Sequence, residues 1–130
     1  MMNEKQERNY ALQDRLIDFV VRVLNVVESL PSTKAGNHIA GQLVRSGSSP
    51  APNYGEAQSA ESRKDFIHKM KISLKELRES LIWLLVIQRK PPIEPAEKLD
   101  PIIQENNELI AIFVASITTA QENLRNESQS

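Results

Sequence analysis

The chain is predicted to be all-α, an up-down-up-down four-helix bundle. Three observations lead there. Apolar residues recur at alternating steps of four and three along separate stretches, prolines stand at the joints, and almost nothing alternates with the period of two that marks a half-buried strand. At 130 residues the bundle makes one domain, able to bury on the order of two-thirds of the surface its unfolded form exposes. The chain has no cysteine, which removes disulfides, thiolate metal sites and cysteine nucleophiles, and agrees with a reducing compartment.

Residues 1–9 read as a polar, frayed lead-in, residues 10–125 as the bundle and residues 126–130 as a disordered tail. In the first helix Leu12, Leu16, Val20, Val23, Val27 and Leu30 repeat at helical spacing over roughly twenty residues, about 30 Å. It is expected to end at Leu30, because Pro31 disfavours the helical conformation in the residue before it. Ser32 and Thr33 are candidate caps for a second helix through Ile39, Ala40, Leu43 and Val44. That helix then meets Gly47, Pro50, Pro52 and Gly55. Each proline lacks an amide donor and crowds the preceding turn. The prediction is therefore a kink near Pro50 and Pro52, or a break with Ser49 as cap and Pro50 in the new first turn.

The third helix carries Phe66, Met70, Leu77, Leu81 and Leu84 on one face, widened by Ile67, Leu74 and Leu85, and Lys90-Pro91-Pro92 should stop it. The fourth is expected to begin near Glu94-Pro95, with Glu97 and Asp100 complementing the positive end of the helix dipole. Pro101 should bend it or move its effective start. Its seam is Leu99, Ile103, Asn106, Ile110, Phe113, Ile117, Ala120 and Leu124, with Asn106 a polar member able to set register.

Two stripes break the amphipathic pattern. The stretch QLVRSGSSPAPNYGEAQSA, residues 42–60, places Gln42, Ser46, Ser49, Asn53, Glu56 and Ala60 on one helical line. All but the last are polar, in a helix expected to face apolar neighbours. Either the line meets water and a partner, or its groups satisfy one another inside as a network that fixes register. The other stripe is basic: Lys64, His68, Lys71, Lys75 and Arg78 lie opposite the apolar face of the third helix, along about 20 Å. Residues 63–90 hold eight Lys or Arg against three acids, and residues 94–127 hold seven acids against two bases. Such a face can neutralise phosphates, or it can be a solvated surface tied by local pairs such as Lys75 to Glu79. Trp83 and Tyr54 are the candidate base-stacking aromatics, and both are expected to be buried. Contact with nucleic acid would therefore run through shape and backbone, not sequence readout.

Catalysis is not expected. Asp65-Phe-Ile-His68 resembles half of a di-iron Glu-x-x-His motif, but there is no second copy, and His38 has no acid three residues before it. No nucleophile elbow or phosphate-cradling glycine loop is present, and no acid pair has an identifiable perturbing environment. No catalytic residue, metal or cofactor is assigned. The opening MMNEKQERNY shows no signal peptide, and the apolar runs fall far short of the roughly 20 residues of a membrane span. The expectation is a soluble, cytoplasmic protein.

Gln42-Leu-Val-Arg-Ser46, Ser49, Asn53, Glu56-Ala57, Ser62, Asp65-Phe-Ile-His-Lys69, Leu74-Lys-Glu76, Glu79, Trp83-Leu84 and Glu108-Leu-Ile110 together resemble the four-helix bundle proteins encoded by intervening sequences in bacterial large-subunit ribosomal RNA genes. The likeness runs from about Tyr10 to Leu124. It implies an all-helical bundle that assembles as a homo-oligomer, a ring of five. A related branch, the accessory variability proteins of diversity-generating retroelements, has a positive surface that engages a reverse transcriptase and nucleic acid. Arg45, Asn53 and Glu56 match the family's signature positions, where they would hold helices together or line a subunit contact. Pro50 and Pro52 stand where the family carries small or aliphatic residues.

Two functions follow as expectations. The first is a non-enzymatic oligomeric module binding RNA or DNA through the third-helix stripe. The second is a protein-interaction scaffold whose basic third helix docks on the acidic fourth helix of a neighbouring subunit, without nucleic acid.

Overall fold

The structure, a computed structural model, describes residues 1–90 and 96–129. It contains α1 (Glu4–Glu28), α2 (Lys34–Ser48), α3 (Pro50–Ala57), α4 (Arg63–Arg89), a 3₁₀ turn (Ala96–Leu99) and α5 (Asp100–Gln129). There is no strand among the described residues. With α2 and α3 forming one bent rod, these make the expected four-helix bundle. The rods occupy the corners of a square. The α2/α3 rod touches both α1 and α4, α5 also touches both, and α1 and α4 sit on opposite corners without direct packing.

The first helix starts earlier than expected. Asn3 accepts from the Gln6 amide at 2.8 Å, and the Gln6 side chain accepts from the Asn3 amide at 2.9 Å. This reciprocal capping box, with Glu4 and Glu7 in the first turn, lets helix form before any apolar residue has to be buried. Periodicity cannot reveal such a start, so the expected lead-in 1–9 is mostly helical. The helix ends at Glu28, with Ser29 as C-cap, just short of the expected Leu30. At the other end of the chain, α5 continues through most of the expected tail to Gln129.

Thr33 caps α2 by accepting from the Gly36 amide at 3.0 Å. Gly36 has no room for a side chain, since a Cβ there would run into the Pro31 carbonyl. At the prolines the rod kinks by 19° and does not break. Ser49 keeps a helical backbone (φ −74°, ψ −38°) and its side chain caps nothing. Pro50 removes the donor for the carbonyl four residues back, so the rod bends there. Asn53 stays anchored across the bend, donating Nδ2 to the Ser49 carbonyl at 3.0 Å and to Ser49 Oγ at 2.9 Å.

The fourth rod resolves the alternative at Pro101 in favour of a later start: α5 begins at Asp100, with proline in a first turn that needs no amide there. The expected helix stop at Pro91-Pro92 and the expected start at Glu94-Pro95 lie outside the described residues.

The core joins Leu16, Phe19 and Val23 of α1, Leu43 of α2, Tyr54 of α3, Met70, Leu77 and Leu84 of α4, and Leu109 and Phe113 of α5. Tyr54 meets Phe113 edge to face, ring centroids 5.8 Å apart, and burial pushes its phenol up to about 12. From Leu99 of the 3₁₀ turn into α5 the buried line is Leu99, Ile102, Asn106, Leu109, Phe113, Ile117 and Ala120. Ile103 and Ile110, expected at its centre, flank it half-buried. Asn106 donates to the Leu77 carbonyl at 3.0 Å inside the core. That bond fixes α5 against α4 in register, as a lone buried amide can.

Around the bend the rod packs closely because its inward residues Ser46, Gly47 and Ala51 are small. A Cβ on Gly47 would lie 2.9 Å from both methyl groups of Val23 on α1. Gly47→Ala is therefore expected to destabilise the protein by about 1–3 kcal/mol through overpacking. Gly41, with nothing within 4 Å of its would-be Cβ, gives the opposite outcome: Gly41→Ala should stabilise by about 0.5–1 kcal/mol. Urea unfolding of the two variants checks both signs.

Candidate nucleic-acid interface and the polar seam behind it

The 27 residues of α4 divide into three lengthwise faces. Ile67, Met70, Leu77, Leu84 and Ile87 point into the core. Ser73, Glu76 and Ser80, also buried, face the bent rod. Lys64, His68, Lys71, Lys75 and Arg78 are all exposed, and none of the five makes an ion pair among the described residues. Helical spacing makes them a single line. Ile82 and Val86, 57% and 38% exposed, continue it with apolar groups.

The local pair of Lys75 with Glu79, part of the solvated-surface alternative, does not form. Glu79 instead accepts from the Arg45 guanidinium, which also reaches Glu76 at 2.9 Å. Arg45 lies on α2, and its fork spans two acids one turn apart on α4, a geometry a guanidinium matches better than an ammonium. The Arg45 hydrogen bond, with its charge, holds the Glu79 carboxyl below the usual range, and Glu79 in turn raises Arg45. Two of the three acids of the basic helix are thus occupied by a cation from another rod. The third, Asp65, pairs with Lys69 at 3.8 Å. The stripe cations are left to solvent.

The polar line of residues 42–56 separates into distinct environments. Ser46 is fully buried and hydrogen-bonds the Ser80 hydroxyl at 3.1 Å, while Ser80 Oγ donates to the Glu76 carbonyl at 2.9 Å. One turn on, Ser73 Oγ lies 3.4 Å from the Pro50 carbonyl. Gln42 sits at the edge, its carbonyl oxygen 3.4 Å from Arg45. Ser49 and Asn53 are half-buried and bonded to each other. Glu56 is 64% exposed and 3.7 Å from Lys69. Most of the line satisfies itself or α4, and Glu56 meets water.

Two further interhelical pairs carry no local signal. Arg15 on α1 makes a two-pronged contact with Glu105 on α5, at 2.6 and 3.1 Å, and approaches Glu108 at 3.5 Å. Arg63 reaches Glu127 at 2.7 Å. The acidic fourth helix therefore spends several acids inside its own chain. Trp83 is half-buried and packs edge to face with His38, centroids 6.0 Å apart. Tyr54 is 3% exposed, so neither aromatic lies open on the stripe. No described helix is long and apolar enough to cross a membrane.

The model of the family described as 23S rRNA-intervening sequence protein matches residues 8–115. Among solved structures, the chain is similar to a crystal structure of a protein of unknown function from the S23 ribosomal protein family of Bacteroides thetaiotaomicron. The two are 31% identical with a TM-score of 0.76, over 85% of this chain and 97% of that one. Among curated proteins none matches. The chain belongs to the 23S rRNA-intervening sequence protein family.

Three stability outcomes follow. The folded state holds Glu79 ionised, so its contribution is complete above the ordinary glutamate value of about 4.3 and is lost as pH falls through the lower folded value. Thermal midpoints should drop across that window, and Arg45→Gln should flatten the drop. Glu56→Ala should change stability by less than about 0.5 kcal/mol, as an exposed pair does. Asn53→Ala should cost about 1 kcal/mol through its two lost bonds. Chemical unfolding at neutral pH separates the two.

Proposed function

We propose that this member of the family acts without catalysis, as an oligomeric helical module that binds RNA or other nucleic acid through the α4 stripe. The observation that supports this is the state of the stripe's charges. Lys64, His68, Lys71, Lys75 and Arg78 project along one line into solvent, while the neighbouring acids Glu76 and Glu79 are turned to Arg45. Charges that spend nothing on their own fold are available to phosphates, and displaced counterions then drive binding. The absence of an open aromatic on this face favours contact with the sugar-phosphate backbone over base readout. A ring of five copies, the assembly the family resemblance implies, would set several short stripes side by side and multiply a weak single contact.

The reading is tested on a structured RNA at several salt concentrations. Wild type should bind with steep salt dependence, and Lys71→Gln should lower the slope of log affinity against log salt by about 1. Lys71→Glu with Lys75→Glu should abolish binding at low salt. Failure of the wild-type protein to bind at low salt overturns the proposal.

A second reading, a scaffold in which α4 docks on an acidic helix of a neighbouring copy, is favoured by exposed Ile82 and Val86 at the end of the stripe. Glu105 and Glu108 of α5 are engaged by Arg15, and α1 offers a further local acidic patch, Asp14 and Asp18, exposed beside exposed Ile17 and Val21. In that case light scattering should show the oligomer dissociating as salt rises, with no RNA binding at any salt.

A further inference from the structure

At one end of the bundle, where α1 and α4 begin and α3 and α5 end, the rods splay around a cleft of about 780 Å³. That volume lies within the range of small-ligand sites, roughly 300–1,000 Å³. The lining is one-sided in charge. Lys5 and Arg8 from the first turns of α1 and Arg63 from the first turn of α4 stand at it, and none of the residues lining it carries a carboxylate. On the α5 side it presents the hydroxyls of Ser116 and Thr119, and half-buried Phe66 supplies an aromatic wall. Lys5 has no ion pair among the described residues, and Arg8 meets Glu4 at 3.6 Å with both side chains mostly exposed, a pair of the kind that contributes little. Arg63 is held by Glu127, its Nε at 2.8 Å and its terminal nitrogen at 2.7 Å, across a part-exposed pair that a phosphate has to displace.

We propose that this cleft seats one phosphate-bearing nucleotide. Cations at the rim answer a phosphate, hydroxyls answer a ribose, and an aromatic side chain answers a base. An inorganic anion would leave the aromatic wall and most of the volume unused, and a divalent cation would find no carboxylate. The stripe on α4 starts at Lys64, the residue after Arg63, so the cleft stands at the head of the cationic line. The nucleotide is then the end of a strand whose backbone follows α4, and in this the inference rests on the nucleic-acid reading of that helix.

The test titrates adenosine monophosphate and, separately, adenosine into the full isotope-labelled chain, reading the backbone amide signals of Phe66, Ser116 and Thr119. The monophosphate should shift them saturably, and adenosine should bind at least about tenfold more weakly, the loss expected for charge-assisted bonds. Lys5→Gln with Arg63→Gln should weaken the monophosphate by a similar factor. Ser116→Gln, which fills the cleft without touching a charge, should do the same, and thermal unfolding confirms that both variants are folded. Lys71→Glu with Lys75→Glu should leave monophosphate binding within about twofold, while a terminal phosphate on a short single-stranded RNA should strengthen wild-type binding and not that of the cleft variant. Unshifted signals, or equal binding of adenosine and its monophosphate, overturn the cleft even where RNA still binds along α4. Monophosphate binding without any RNA binding overturns its tie to a strand and the α4 reading, leaving a free-nucleotide site.

Discussion

Around its bend the rod of α2 and α3 turns small groups, Ser46, Gly47 and Ala51, to its neighbours, and the arrangement of the bundle depends on that. Gly47 lies against Val23 of α1, while Ser46 and the Pro50 carbonyl meet Ser80 and Ser73 of α4. With small groups on both contact lines, backbones approach closely enough for hydroxyls to bond across the interface. Dispersion contacts gain from the same closeness. Because this rod alone joins α1 to α4 on its side of the square, its spacing sets the position of both. The 19° kink keeps the rod against its neighbours beyond the prolines.

That spacing also decides the electrostatics. Arg45 stands just outside the small-residue line, close enough to α4 to take Glu76 and Glu79 together. If the rods were held further apart, Glu79 would be free for Lys75 one turn away, and the stripe would be partly neutralised by its own helix. The same close approach that stabilises the interface therefore leaves the outward cations of α4 without acids. Packing on one face of a helix thus shapes the charge available on another.

A comparable division appears between the other rods. Arg15 joins α1 to α5 through Glu105 and Glu108, so the acids of α5 act within the bundle as interhelical ties. The surface that remains is unevenly charged: a cationic line on α4, a cation-rimmed cleft at its head, and acids with apolar neighbours on α1. A bundle can carry such a surface at little cost, since exposed charges are solvated.

The helices were legible in the sequence because periodicity and proline act locally. Leu16, Val23, Met70, Leu77 and Phe113 declare their faces within a few turns, and Pro50 and Pro101 impose their effects on adjacent residues. The stripe on α4 was legible for the same reason, as was a role for Asn106 in register. The start of α1 at Asn3 escaped because it rests on a cap and not on apolar spacing. What the sequence alone determined is therefore which residues share a face of which helix. What only the tertiary structure decided is which charges meet: Arg45 with Glu79, Arg15 with Glu105 and Arg63 with Glu127 are joined across 34, 90 and 64 positions. Coulombic pairing follows distance in space, and that distance exists only once the rods have packed.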